Sequence, residues 1–108
     1  MMGYTEIEAA DLHALLAAQD VLLVDVRRDD EVARGMIQNA RHIPLHLIPL
    51  SLDQLDEGDR PLVFYCHSGM RSAQASAFMS GKGRGNIYNL HGGILAWGKA
   101  GYPIVPKN

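Results

Sequence analysis

"LVFYCHSGMRSA" (Leu62–Ala73) decides how the rest of the chain is read. Four apolar, β-favouring residues run straight into Cys66, the chain's single cysteine, and small helix-compatible residues follow Gly69. An apolar run this short and unalternated suits a strand covered on both faces. A buried strand that turns at once into a helix is half of a strand–helix–strand crossover. A lone cysteine is most often a small buried hydrophobe without chemistry. Its place at the carboxyl end of a strand gives Cys66 a second reading, because open parallel sheets bind their ligands there.

The flanking sequence repeats the alternation. Upstream, "EAADLHALLAAQ" puts Ala9, Leu12, Leu15 and Leu16 on one helical face, and "VLLVDV" (Val21–Val26) reads as another buried strand. "RDDEVARG" is a short polar helix candidate ending at Gly35, and "ARHIP" a brief strand closed by Pro44. "LHLIPLSLDQLDEGDRP" suggests a helix that begins near Pro49 and runs towards Leu55, since proline is not tolerated deep inside one. Downstream, Ser72 to Met79 reads as a helix with Ser72 as its N-cap and with Ala73 and Ala77 on one face. "GKGRG" breaks the chain, "NIYNL" is a third strand, and "GGILAWGKAG" is a short helix between glycines. The expected fold is α/β: one domain over 1–108, a mostly parallel central sheet with helices on both faces.

Composition bounds the function. The chain has 108 residues, 47% hydrophobic and 20% charged, as an ordinary globular domain has. Lys+Arg 10 against Asp+Glu 12, without a basic run, argues against nucleic acid as a partner. No stretch has the apolar length of a membrane span and "MMGYTEIEAADL" lacks a signal-peptide pattern, so the expected location is cytoplasmic, away from membranes. One cysteine allows no internal disulfide.

Cys66 therefore carries the chemistry. A tight turn through His67, Ser68, Gly69 and Met70 into a helix would aim successive N–H groups at one anion, with Gly69 supplying the backbone freedom. Arg71 adds a forked, permanently charged donor suited to oxyanions. A thiol in such surroundings ionises readily, with pKa values of roughly 3.5–7.5 in comparable sites. The candidate site is thus Cys66 as nucleophile, with His67, Ser68, Gly69, Met70 and Arg71 binding substrate. Asp25 and Arg27 read as a structural ion pair behind the loop, and Phe64 and Trp97 as core. His42 and His46 are separated by Pro44 and His91 lies further on, so no metal is expected. Gly92 and Gly93 read as the turn into the last helix.

Four segments together resemble the single-domain rhodaneses: "LLVDVR" (Leu22–Arg27), "GMIQNARHIPL" (Gly35–Leu45), "CHSGMRS" (Cys66–Ser72) and "NIYNLHGGILAW" (Asn86–Trp97). The chain departs from that pattern at Met36, where histidine is usual, at Asn39 for glycine, and at Val32 for an aromatic. It also lacks an aromatic in "GKGRG", and all these departures lie outside the loop. The resemblance implies a sulfurtransferase that carries sulfur on Cys66 as a persulfide. The donor would be thiosulfate or another persulfide, and the acceptor a thiol, cyanide or a sulfur-carrier protein, without a cofactor. Two other classes compete. Some rhodanese-like domains act as protein-binding or regulatory modules, although those have lost the cysteine. Cysteine phosphatases and arsenate reductases use a similar thiol, but the phosphatase loop has five residues between Cys and Arg; here there are four.

Overall fold

The computed structural model describes residues 3–55 and 58–107. Met1, Met2, Asp56, Glu57 and Asn108 of the expected domain lie outside the described residues.

Side-chain alternation along the buried strands builds the core. Leu22, Val24 and Val26 point to the same side as Leu62, Phe64 and Cys66, and pack there with Ile48, Leu55, Ala75 and Met79. Leu23, Val63 and Tyr65 point to the other side, against Leu12, Ile94 and Trp97. Strands β2 (Leu22–Asp25) and β4 (Leu62–Tyr65) are buried at every position, which explains why neither shows a polar face in the sequence. They pair in parallel, Leu22 opposite Leu62 through Asp25 opposite Tyr65. β5 (Ile87–Leu90) lies on the far side of β4, and β3 (Arg41–His42) beside β2.

A fifth strand, β1 (Thr5–Ile7), completes the sheet in the order β1-β5-β4-β2-β3. It escapes sequence reading because "TEI" is three residues long and has one buried side chain, too little for any period. All the paired strands are parallel, and helices cover both faces as expected. α1 (Ala9–Ala18) and α5 (Gly93–Lys99) cover one face; α3 (Leu52–Leu55) and α4 (Met70–Gly81) cover the other. α2 (Asp29–Val32) is a single turn after β2. Among the described residues no helix is long and apolar enough to cross a membrane.

Two expectations are corrected. Pro49 does not open a helix. It lies inside a 3-10 segment, Leu45–Leu50, and α3 restarts after Ser51, whose hydroxyl bonds the Leu47 carbonyl at 2.9 Å. Proline offers no N–H to an α ladder, so the chain takes the tighter winding and breaks. Helix α4 begins at Met70 because Gly69, at φ +110°, reverses the chain there. Ser72 is therefore inside the helix rather than capping it. The buried stripe of α4 is Ser72, Ala75, Ser76 and Met79, so Ala73 and Ala77 share its outer side. In "GKGRG", which lacks an aromatic, buried Arg84 bonds the carbonyls of Leu55, Gly85 and Arg60.

Candidate functional site

The strand order fixes where a ligand can sit. From β2 the chain leaves towards β3, and from β4 it leaves towards β5, on the opposite side. The carboxyl ends of β2 and β4 therefore diverge, and such a switch point opens a crevice. Cys66 is the first residue beyond β4, and Val26 and Arg27 are the first beyond β2.

Cys66 continues the inward alternation of β4 and is buried. Its Sγ accepts a hydrogen bond from the Gly69 N–H at 3.1 Å and from the Ser72 hydroxyl at 3.4 Å. Burial pushes the thiol's pKa up, but the Ser72 hydroxyl and the N–H groups of Ser72, Gly69 and Ser68 outweigh it. The net shift is downward, towards thiolate. The loop is closed from behind by α5, whose first amides bond it: Ile94 N–H to the Cys66 carbonyl at 2.9 Å and Leu95 N–H to the His67 carbonyl at 3.2 Å. Gly93 makes this approach possible, since a Cβ there would collide with both carbonyls. The glycine pair thus turns the chain into α5 and also backs the cysteine loop.

Of the residues singled out by sequence, Cys66 and Gly69 meet directly, while His67, Ser68 and Met70 project outward; Met70 is 77% exposed. Arg71 reaches across to α2, where both its terminal nitrogens bond Glu31, at 2.6 and 2.9 Å. Glu31 also accepts the Arg28 N–H at 3.0 Å, so the one-turn helix α2 holds the carboxylate in place. The Arg71 guanidinium, aided by the Arg28 N–H and opposed by burial, lowers the Glu31 carboxyl to about 2. Two clefts flank this pair: about 370 Å³ lined by Arg34, His67, Ile94 and Ile104 among others, and about 840 Å³ lined by His42, His46, Leu47 and Arg71 among others.

Asp25 and Arg27 form the expected pair, with Nη2 to Oδ2 at 2.8 Å and Nε to Oδ1 at 3.0 Å. Arg27 Nη2 also bonds the Gly35 carbonyl at 2.7 Å, tying β2 to the turn after α2. His42 Nε2 meets the Arg27 carbonyl at 2.7 Å, and His91 Nδ1 lies 2.9 Å from Glu8. Among the described residues no group of three or more His, Cys, Asp or Glu is placed to hold a metal ion.

Sequence reasoning did not find Glu31 as the partner of Arg71, nor Ser72 as a donor to the thiol. Glu31 lies 40 residues before Arg71 with no local pattern joining them. Ser72 carries a signal, a serine two residues into a helix that follows the only thiol, but caps and thiol donors look alike in sequence.

Comparison with known proteins agrees with this arrangement. The family model described as rhodanese-like domain matches residues 8–100. A sulfurtransferase of Allochromatium vinosum is 48% identical over 101 residues, covering 93% of this chain and 94% of that protein. A tRNA uridine(34) hydroxylase of Erwinia tasmaniensis is 33% identical over 98 residues, which make up only 28% of its length. The crystal structure of a rhodanese-related protein from Thermoplasma volcanium superposes with a TM-score of 0.86 at 36% identity, covering 96% of this chain and 100% of that one. With its parallel sheet, its cysteine at the β4 switch point and a match across most of its length, this chain belongs to the rhodanese family.

Proposed function

We propose that the protein is a sulfurtransferase that moves a sulfane sulfur through a persulfide on Cys66. The observation that carries this reading is the thiol itself: Sγ stands at the switch point with the Gly69 N–H and Ser72 hydroxyl directed at it. The relatives named sulfurtransferase support it. The hydroxylases share this domain as a fraction of a longer chain, and their activity is not carried over.

The reaction is a double displacement. Cys66 thiolate attacks the outer sulfur of thiosulfate; the S–S bond of the donor breaks and sulfite leaves with the electron pair. A Cys66–S–S⁻ persulfide remains, its charge held by the loop amides and balanced by Arg71. Cyanide or a thiol then attacks the terminal sulfur and returns Cys66 to thiolate. His67 and Ser68 line the approach, and Met70 offers apolar surface to an acceptor. The acceptor in the cell is a small thiol or a sulfur-carrier protein. No base is required in this scheme, because the loop donors shift the thiol towards thiolate, and no cofactor takes part. A free, reactive thiol suits a reducing compartment, and this supports a cytoplasmic location.

Incubation with thiosulfate followed by cyanide should yield thiocyanate, and Cys66→Ser should abolish it with the fold intact by circular dichroism. Absence of turnover with thiosulfate, polysulfide and other persulfide donors overturns the proposal. Hydrolysis of an aryl phosphate would instead favour the phosphatase class.

A further inference from the structure

Asn89 is a polar residue in a place where the fold asks for an apolar one. It lies in β5, 2% exposed, between Tyr88 and Leu90. Its Nδ2 donates to both oxygens of Glu6, at 3.2 and 2.9 Å, and to the Gly69 carbonyl at 3.2 Å. Glu6 is its register partner on β1, so the amide links the edge strand through β5 to the cysteine loop. The other amide atom, Oδ1, is buried without a hydrogen-bond partner among the described residues. Turning the amide over would satisfy nothing, since it would set Oδ1 against a carboxylate and a carbonyl. A buried acceptor left unpaired is destabilising, so stability alone does not account for asparagine here.

What the amide does hold is Gly69. This residue has φ +110°, and without a Cβ its backbone has no preference of its own for that shape. Its carbonyl is fixed by Asn89 and by the Ala73 N–H at 3.1 Å, while its own N–H faces Cys66 Sγ at 3.1 Å. We propose that Asn89 is a positioning residue: by anchoring the Gly69 carbonyl it keeps the Gly69 N–H directed at Cys66 Sγ. The inference deepens the sulfurtransferase reading, on which its consequence for turnover rests, but the geometry it concerns is a property of the thiol alone. The other charged groups around the loop are Arg71 of α4 with Glu31 of α2, the Asp25–Arg27 pair after β2, His67, and Glu6 of β1. Only Glu6 is affected in the test, since both variants remove its bonds from Asn89, and Glu6→Gln, which keeps Asn89 in place, should leave the profile unmoved.

The test is the rate of Cys66 alkylation by iodoacetamide as a function of pH, which follows the thiolate fraction. Asn89→Leu removes the bond to Gly69 together with the unpaired Oδ1, and Asn89→Ala removes both with less bulk. Each is expected to fold and to raise the apparent pKa of Cys66 by about half a unit or more, read as roughly threefold slower alkylation below the transition. The rate above the transition should be unchanged. Ile87→Val, at the far end of β5, should lose stability without moving the profile. Profiles of the Asn89 variants that superimpose on wild type overturn the proposal, as does an Asn89→Leu protein that cannot fold, which would make the residue structural. Wild-type protein that takes up no sulfur would overturn the sulfurtransferase reading and leave the alkylation result standing.

Discussion

Two arginine–carboxylate pairs stand within a few residues of the same loop, and they differ chiefly in depth. Asp25–Arg27 is sealed, with side chains 0% and 6% exposed; Glu31–Arg71 is at the rim, at 17% and 30%. Both are bidentate. The sealed pair spends its bonds on the scaffold, joining β2 to Gly35, with little of either side chain exposed. The rim pair faces the clefts, so Arg71 remains reachable by an anion while Glu31 stops it from drifting into solvent. Burial, rather than chemical type, separates the arginine bonded into the scaffold from the one the proposal assigns to substrate.

Breaking the sealed pair should have the largest effect. Asp25→Ala leaves the Arg27 guanidinium buried and uncompensated, a situation that costs about 3–5 kcal/mol. Against a typical domain stability of roughly 5–15 kcal/mol, urea denaturation should show a midpoint far below wild type. A small shift would mean the pair is not structural.

Arg71→Ala should reverse the pattern. An exposed pair contributes up to about 1 kcal/mol to stability, so the denaturation midpoint moves little. Turnover efficiency with thiosulfate, in contrast, should fall more than about tenfold, or roughly 1.4 kcal/mol in kcat/KM. Arg71→Lys should recover only part, because an ammonium does not reproduce the planar fork. Unchanged kinetics in the alanine variant would make Arg71 a bystander.

Glu31→Gln sharpens the comparison with the smallest effect. The folded carboxyl is depressed from its ordinary 4.5 to about 2, so its stabilisation is complete above the ordinary value and is lost as pH falls through about 2. The wild type should therefore melt slightly above Glu31→Gln near neutral pH, with a gap of about 1 kcal/mol or less given the partial exposure. The gap should close between pH 4.5 and about 2. A gap independent of pH would remove Glu31 from the account.

These pairs also mark how far the sequence could be read. Asp25 and Arg27 are two residues apart at the end of an apolar run, and their pairing is visible there. The buried strand β4 announces itself by four unbroken apolar residues and β2 by three before Asp25, and the switch point follows from their alternation with helices. Glu31–Arg71 and Glu6–Asn89 join residues 40 and 83 apart, and only the assembled sheet brings them together. The start of α4 differs from the sequence expectation for a related reason. Gly69 begins the helix through its backbone angle, while Ser72 carries the residue type that usually does so.

The central claim, that Cys66 carries the sulfur, is tested most directly by intact mass after treatment with thiosulfate. The protein should gain the mass of one sulfur atom, lose it on addition of cyanide, and gain nothing as Cys66→Ser. A wild-type mass that stays constant with thiosulfate and with every other persulfide donor, in protein shown to be folded with a free thiol, would contradict the account.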